Sequence, residues 1–411
     1  MKNILIIGFV WPEPNTTAAG SRMLQLIELF QKEGYAITFA CTATKTINSF
    51  KLETLNIQTF EIELNSPTFD TLIKKINPAI VMFDRYLTEE QFGWRVSENC
   101  PNALKILDTE DLHFLRNARQ LAHKSNTEVS LNLLINDITK REIASIYRCD
   151  LTLIISKFEL KLLKKTFNID KNLLAYVPFL LDKIDSEKFQ KYPSFINRNH
   201  FITMGNFRHE PNWNAVQYLK STIWPLIRQK LPRAEMHIYG AYVTEKVLQL
   251  NNPKEGFLIK GWADNAEITF TNARVCLAPL QFGAGLKGKL IDAMLFGAPC
   301  VTSSIGAESM HKKLPWNGFI CDNPEVFASK SIELYTNQNI WKKSQKNGVE
   351  ILNKCYNKKK HGKKLIEKIN HITIDLQKHR LHNFIGAVLE HHLLKSTKYM
   401  SKWIEEKNKK A

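Results

Sequence analysis

The residues with the clearest chemical potential lie between Cys276 and Glu308, in the stretch CLAPLQFGAGLKGKLIDAMLFGAPCVTSSIGAE. Two apolar runs are joined there by a Phe-Gly-Ala-Gly turn at residues 282–285 and by a segment of helical spacing from Leu286 to Phe296. Glycine allows positive φ and close approach of a ligand, and a helix N-terminus presents unpaired N–H groups to an anion. Because Lys287 and Lys289 add positive charge at this turn, the stretch predicts a site for a phosphate-bearing ligand.

Glycines alone are weak support for such a site, because any crossover between parallel strands needs a turn and glycine is the usual turn residue. The lysines and the acidic Asp292 within one short predicted helix shift the balance towards phosphate binding. A second loop, from Ser304 to Glu308, places Gly306 before another predicted helix start and so near the same phosphate. Earlier in the same half of the chain, the loop from Gly205 to Trp213 contains Arg208, which could reach a diphosphate.

A loop near the N-terminus, from Phe9 to Arg22, ends in Gly20-Ser21-Arg22 just before a predicted helix. It lacks the tight GxGxxG pattern, so no dinucleotide is expected in this half of the chain. The loop could close over a substrate held by the second half. Alternatively, it could be a surface loop in which Ser21 caps the helix.

The loop of residues 108–113, Asp-Thr-Glu-Asp-Leu-His, concentrates three carboxylates and an imidazole after another predicted strand. In a cleft, Asp111 and His113 could serve as an acid, a base or an orienting group. The alternative is that the carboxylates cap a helix and pair with Arg116 and Arg119. The spacing of these residues does not resemble a metal site.

Alternating apolar and helical segments must hold these loops in place. This alternation occurs in both halves of the chain and predicts an α/β protein with two doubly wound, mostly parallel sheets in tandem. Ligands of such sheets bind at the carboxyl ends of the strands, so two facing domains form a cleft between these edges. The predicted strands are Lys2–Phe9, Ala36–Cys41, Ile80–Phe83, Lys105–Leu107, Leu151–Ile155, Leu174–Val177, His200–Gly205, Glu235–Tyr239, Phe257–Ile259, Val275–Leu280, Pro299–Thr302 and Gly318–Cys321.

The apolar pattern lapses between Phe179 and Arg198, which predicts a linker over residues 180–199. The first domain is then expected at residues 1–179 and the second at 200–372. A basic helical tail is expected at residues 373–411. Within the second domain, one helix is predicted over Asn214–Leu231, because its apolar residues recur with helical spacing.

Composition indicates a soluble globular protein without structural disulfides or zinc. The chain has 411 residues, of which 44% are hydrophobic and 24% charged, and its seven cysteines never fall in CxxC spacing. The N-terminal apolar run is too short for a secretory signal, and no run approaches the roughly 20 residues that span a bilayer. A reducing cytoplasm is therefore expected.

The net charge of +17 is concentrated near the C-terminus, where residues 357–411 carry 14 Lys and Arg against 5 Asp and Glu. This bias favours an anionic partner. Tyr399 and Trp403 among lysines are typical of a helix that lies on an acidic membrane. The alternative is a solvated or packed terminal helix. Nucleic acid is not expected as a partner, because the tail lacks a recognisable binding module.

Together, these stretches resemble the GT-B fold glycosyltransferases of the group 1 (family four) type. The resemblance rests on PLQFGAGLKGKLIDAMLFGAPCVTSSIGAE, ILDTEDLHFLR and MGNFRHEPNWNAV, and it extends to about residue 372. It implies two Rossmann-like domains facing each other across a cleft, with an acceptor-side domain first and a nucleotide-sugar donor domain second. It also implies sugar transfer from a nucleoside-diphosphate sugar to a glycan or lipid-linked glycan, as in surface polysaccharide or lipopolysaccharide biosynthesis.

The resemblance also implies which residues form the site. Asp292 matches the family's acidic residue that grips the ribose hydroxyls, and His113, with Asp111 beside it, would lie near the transferring sugar. The first-domain loop with Gly20 and Arg22 would approach the diphosphate. Donor contacts would also come from Gly283, Ala284, Gly285, Leu286, Lys287, Lys289, Gly306, Ala307 and Glu308.

Two departures from the family pattern limit what the resemblance implies. The family often has two glutamates separated by seven residues, whereas here Ala284 occupies the first position and the shorter Asp292 the second. Without the first carboxylate, the usual contact to the donor sugar is missing, and the sugar's identity is not implied. The family's Arg and Lys pair in the second domain is also incomplete, with Arg208, Lys287 or Lys289 as its substitutes.

Lysines, an arginine and helix N-termini could stabilise a diphosphate leaving group, so neither a metal nor another cofactor is expected. The family usually retains the anomeric configuration, and His113 is expected to orient or polarise the sugar. Two other functions stay open: a catalytically impaired subunit that binds donor or acts as a scaffold, and a GT-B fold sugar-nucleotide epimerase. The expected location is the cytoplasm, including the inner face of the cell membrane.

Overall fold

Two parallel β-sheets, each covered by helices, organise the chain. A computed structural model describes residues 2–409, except for the side chains of residues 392–394; residues 1, 410 and 411, at the ends of the expected first domain and tail, lie outside this range. The described strands are β1 Asn3–Gly8, β2 Ala36–Cys41, β3 Gln58–Glu61, β4 Ile80–Asp84, β5 Leu104–Asp108, β6 Leu151–Ile154, β7 Leu174–Tyr176, β8 Asn199–Met204, β9 Met236–Tyr239, β10 Phe257–Gly261, β11 Ala273–Ala278, β12 Cys300–Thr302 and β13 Gly318–Ile320.

The strand order in each sheet creates the edge where ligands bind in such folds. The first sheet has the order β3-β2-β1-β4-β5-β6-β7, and the second has the order β10-β9-β8-β11-β12-β13. All pairings within these sheets are parallel. The order reverses between β1 and β4 and again between β8 and β11, so each sheet has a switch point at its centre. The predicted fold class, two doubly wound domains in tandem, is confirmed.

Continuous apolar runs explain why the predicted strands form. Residues 4–7 of β1 are fully buried, as expected for a parallel strand covered by helices on both faces. Each predicted strand overlaps one in the structure. One strand of the structure, β3, was not predicted. It is a short edge strand of sequence Gln-Thr-Phe-Glu with no buried residue, so its apolar signal is weak.

Helices cover both faces of the two sheets. The described α-helices are α1 Ala18–Lys32, α2 Thr68–Ile76, α3 Arg85–Asn99, α4 His113–Lys124, α5 Leu131–Leu134, α6 Asp137–Arg148, α7 Lys157–Lys165, α8 Ser186–Gln190, α9 Glu210–Tyr218, α10 Trp224–Lys230, α11 Glu245–Leu248, α12 Ala266–Asn272, α13 Gly288–Leu295, α14 Ser304–Ala307, α15 Pro324–Thr336, α16 Gln338–Cys355, α17 Lys358–Ile374, α18 Leu376–Leu381 and α19 Phe384–Asn408.

One helix cap and one helix interior differ from the expectations. The N-cap of α1 is Thr17, whose side chain accepts the N–H of Gly20, so Ser21 lies inside the helix and does not cap it. The single helix expected over Asn214–Leu231 is instead α9 and α10 joined by a π-helical turn at Leu219–Ile223. Pro225 lies in the first turn of α10, where a missing backbone N–H is tolerated.

The C-terminal helices return to the first domain. Leu365, Ile366, Ile369 and Ile372 of α17 belong to the same buried cluster as Ile4 of β1. The second domain was expected to extend to residue 372. Instead, the apolar face of α17 packs against the core of the first domain.

The last helix is fastened to the first domain by polar contacts. Arg95 of α3 donates to the Ser401 hydroxyl over 3.0 Å and pairs with Glu405, while Lys105 pairs with Glu390. The expected helical tail is thus present and packed along one side. Among the described residues, 2–391 and 395–409, no helix is both long and apolar enough to cross a membrane.

Candidate active site

The glycine turn between β11 and α13 is inserted into the first domain. Gly283 and Gly285 have φ values of 150° and 64°, which favour glycine. Arg119 of α4 donates to the Gly283 carbonyl over 2.8 Å, and the Gly285 N–H donates to Glu159 of α7 over 2.8 Å. Ala284 is buried in the same apolar cluster as the first domain's own core residues. The turn is therefore held by the opposite domain.

Close domain contact explains Gly285, one of the predicted site glycines, and the nearby Gly288. A Cβ at Gly285 would lie 2.8 Å from the Asp111 Cβ, and one at Gly288 would clash with Ala18. These glycines let the two domains approach each other, whereas the sequence interpretation had the glycines admitting a ligand. Gly20 has a local cause, because a Cβ there would lie 2.5 Å from the Glu13 backbone.

Two lysines of the second domain lie at the start of α13. Lys287 donates to the carbonyls of Ala284 and Gly285 over 2.9 and 2.8 Å, and Lys289 donates to the Asn212 amide oxygen over 2.8 Å. Burial lowers the pKa of each lysine to about 8. Neither lysine makes an ion pair among the described residues, so both charges are available to an anion.

Asp292 lies in the middle of the same short helix. Burial alone raises the pKa of its carboxyl to about 7. The carboxylate makes no hydrogen bond or ion pair with any residue that the structure describes. An incompletely exposed carboxylate without a partner is costly in the free protein, so this one is suited to hydroxyl donors from a ligand.

Asp111 and His113 face the second domain from the start of α4. The His113 Nε2 lies 3.5 Å from the Asp111 carboxylate, which also accepts a 2.5 Å bond from Arg116. Burial lowers the pKa of His113 to about 4 despite Asp111, so the imidazole is neutral at pH 7. Burial would raise the pKa of Asp111, but Arg116, His113 and His209 of the second domain hold it below its usual value.

Two buried glutamates that the sequence pattern does not single out hold the start of α4. Glu142 of α6 accepts the N–H groups of His113 and Phe114 over 3.2 and 3.1 Å. Glu159 accepts the N–H of Leu112 over 3.1 Å. Their only sequence signal is a carboxylate on the buried side of an amphipathic helix, which is a place where charge needs a partner.

Glu308 was expected to contact the donor, but it pairs with a residue of the first domain. It forms a two-pronged ion pair with Arg119 across the domain boundary, with distances of 2.9 and 2.7 Å. Arg119 was considered as a partner of the acidic first-domain loop. Of the two arginines considered there, Arg116 does pair with Asp111, whereas Arg119 joins the domains.

Arg22 and Arg208 each have a partner within the protein. Arg22 has no exposed surface and donates to the Asp108 carboxylate over 2.6 Å, so it supports the first domain internally. This corrects the expectation that Arg22 approaches the donor. Arg208 is exposed, and its guanidinium lies 3.8 Å from the centre of the Tyr242 ring.

The remaining predicted residues have packing roles. Leu286 and Ala307 belong to the buried core cluster of the second domain. The Gly306 N–H donates to the Ser303 hydroxyl over 3.0 Å, and a Cβ at Gly306 would clash with Thr302. The structure therefore brings Lys287 close enough to Asp111 for their charges to interact, with His113 beside Asp111. Asp292 lies one turn after Lys289 on α13.

Two cavities lie along the seam between the domains. One, of about 550 Å³, is lined by α4 and α7 of the first domain and by Gln281 and Ile305 of the second. The other, of about 240 Å³, lies at the carboxyl ends of β11, β12 and β13. His123 lines both cavities and contacts Asn214 and the Phe282 ring. Within residues 2–391 and 395–409, no group of three or more His, Cys, Asp or Glu is arranged to hold a metal ion.

Comparison with known proteins identifies the fold and the second domain. Residues 198–337 match the family model described as "Glycosyl transferases group 1". No curated protein sequence matches the chain significantly. Solved structures match along nearly the whole length. Sucrose-phosphate synthase from Thermosynechococcus elongatus has 13% identity and a TM-score of 0.69, covering 90% of this chain and 99% of its own.

Two further structures hold nucleotides. TarM from S. aureus, in complex with Fondaparinux, alpha-GlcNAc-glycerol and UDP, has 10% identity and a TM-score of 0.68, covering 91% of this chain and 100% of its own. The pneumococcal O-GlcNAc transferase GtfA, in complex with UDP and GlcNAc, has 10% identity and a TM-score of 0.65, covering 91% and 99%. At such identities the likeness establishes the fold.

The two parallel sheets and the solved structures that match them define the class by its architecture, which is the GT-B fold. Within the second domain, residues 198–337 match the model of the group 1 glycosyl transferases.

Proposed function

We propose that this protein transfers a sugar from a nucleoside-diphosphate sugar to a hydroxyl of a glycan or lipid-linked glycan. The transfer retains the anomeric configuration, needs no metal ion, and serves the synthesis of a surface polysaccharide or lipopolysaccharide. The observation that carries the proposal is the pair of lysines without carboxylate partners, Lys287 and Lys289, on the same helix as the unpartnered Asp292. The nucleotides in TarM and GtfA give independent support for this class of donor.

The side chains divide the chemistry between the two domains. The lysine ammonium groups would neutralise the diphosphate as the bond to the sugar breaks, a task that needs preorganised positive charge. The Asp292 carboxylate would accept the ribose hydroxyls. The neutral imidazole of His113 would form a hydrogen bond with the transferring sugar. The Asp111–Arg116 pair would fix the orientation of the imidazole.

The acceptor would enter along the domain seam. The cavity of about 550 Å³ is large enough for a sugar unit and is lined by both domains. A lipid-linked acceptor would also explain the outer face of α19. Phe384, Tyr399 and Trp403 are exposed by 74%, 64% and 61%, beside the exposed Lys395 and Lys402. Such a face suits an acidic membrane surface, where aromatic rings and lysines act together.

A donor screen tests the proposed reaction. Purified protein is incubated with a panel of nucleoside-diphosphate sugars, with and without chelator, and release of nucleoside diphosphate is measured. We expect one donor to be consumed, and Asp292→Asn to raise its KM at least tenfold. The matched control Lys313→Ala, an exposed lysine of the same domain, should have no effect.

Other outcomes would favour the other functions. Binding of a donor without turnover in the presence of any acceptor would favour a scaffolding or donor-binding subunit. Conversion of the donor into an epimer would show a sugar-nucleotide epimerase. Complete loss of turnover with chelator, restored by a divalent ion, would refute the metal-independent reaction.

A further inference from the structure

Glu159 occupies an unusual position between the two domains. It lies in α7 of the first domain and is fully buried. One carboxylate oxygen accepts both the Leu112 N–H, at 3.1 Å, and the Gly285 N–H, at 2.8 Å. The other oxygen is buried and has no hydrogen-bond partner among the described residues. A carboxylate held in this way is energetically costly, so its position calls for an explanation.

The two backbone groups that Glu159 joins belong to opposite halves of the proposed site. Leu112 immediately precedes His113 and is the N-cap of α4. Gly285 belongs to the turn whose carbonyls hold the Lys287 ammonium group. A single oxygen atom therefore links the position of the imidazole to the position of the donor-side lysine.

The contact also explains the missing carboxylate at residue 284. Ala284 is only 9% exposed and lies in the apolar cluster that contains Leu112 and Leu115 of the first domain. A glutamate there would have to bury its charge among apolar side chains, at a substantial cost. The turn can dock on the first domain because residue 284 is small, and Glu159 then accepts the N–H of the next residue.

We propose that Glu159 is a positioning residue that sets the donor-side glycine turn against the start of α4. It acts through Leu112 and Gly285 and does not itself touch the donor. This inference rests on the proposed function, because it takes the lysine turn as the donor site. It adds a determinant of donor binding that lies on the opposite domain.

Glu142 provides a matched control. Like Glu159, it is a fully buried carboxylate that accepts N–H groups at the start of α4. Its two bonds stay within the first domain, whereas Glu159 also reaches the second. Glu142→Ala should therefore lower kcat by displacing His113 and leave the donor KM within about twofold. Glu159→Ala should lower kcat and also raise the donor KM about tenfold or more, because it frees the turn.

Two further variants separate docking from loss of a buried side chain. Glu159→Gln keeps an amide oxygen that can accept both N–H groups, so its donor KM should stay within about threefold of the parent protein. Ala284→Glu leaves Glu159 in place but crowds the docked turn, so its donor KM should rise. Equal KM values for the Glu159→Ala and Glu142→Ala proteins would overturn the proposal, as would a lower KM for Ala284→Glu.

A measurement without substrate keeps this inference separate from the proposed reaction. Hydrogen exchange of the full chain is followed in peptides covering residues 282–290. Exchange there should accelerate in Glu159→Ala and stay unchanged in Glu142→Ala and Glu159→Gln. Unchanged exchange in Glu159→Ala would refute the positioning role even if a donor is turned over. Faster exchange in a protein that accepts no donor would instead uphold the contact and reject the proposed function.

Discussion

Replacement of Lys289 by methionine should separate stability from donor binding. Burial lowers the pKa of Lys289 from 10.5 to about 8. Each pKa unit corresponds to about 1.4 kcal/mol, so the drop from 10.5 to about 8 corresponds to about 3.5 kcal/mol of destabilisation. Because the Lys289 side chain is partly exposed, solvent screening reduces this cost to about 1–2 kcal/mol. Because the folded-state pKa lies below the unfolded one, this cost is present below about pH 8 and disappears as the pH approaches 10.5.

Lys289→Met should therefore keep or increase the free energy of unfolding at pH 7, even though Asn212 loses its 2.8 Å hydrogen bond. Donor binding should weaken by about 10–100-fold, because a charge-assisted bond to a phosphate contributes about 1.5–3 kcal/mol. Denaturant unfolding and calorimetric titration with the nucleoside diphosphate of the accepted donor measure the two effects. The exposed Lys313→Met serves as the control. A Lys289→Met protein that is clearly less stable but binds with parental affinity would refute this role for the lysine.

Other expected outcomes concern pH, the imidazole and the tail. Since burial lowers the pKa of both donor-side lysines to about 8, the donor KM should rise as the pH increases through 8, measured from pH 6.5 to 9.5. His113→Ala should lower kcat by about 10–100-fold, and the parental rate should show no histidine titration between pH 5 and 8, because burial lowers that pKa to about 4. Tyr399→Ser/Trp403→Ser should reduce co-sedimentation with acidic vesicles, whereas the fully exposed Ile47→Ser should not; equal pelleting of the two would exclude the tail face as a membrane contact.

The sheets could be predicted because their strands are buried on both faces and therefore read as continuous apolar runs. The edge strand β3 could not, since its residues are at most half-buried. The break between α9 and α10 was also missed, because apolar spacing continues through the π-helical turn. In each case the local pattern is weaker than the tertiary packing that decides the structure.

The charged residues of the candidate site could be predicted from the sequence, but the buried glutamates that position the surrounding backbone could not. Lys287, Lys289 and Asp292 stand close together in the sequence, so their spacing alone brings them to one helix. Glu142 and Glu159 are far from them in sequence. Glu142 reaches the start of α4 through the packing of the first domain, and Glu159 also reaches Gly285 of the second domain. Gly285 was detected correctly as a special position, but the reason is close contact with Asp111 of the first domain, which lies far away along the chain.

The return of α17 to the first domain has a consequence for synthesis of the chain. Leu365, Ile369 and Ile372 complete the cluster that contains Ile4 of β1. While the ribosome is still making the second domain, α17 is absent and one apolar face of the first domain remains exposed to solvent. The first domain can thus finish folding only after almost the whole chain has emerged, and until then its apolar face is a natural target for chaperones.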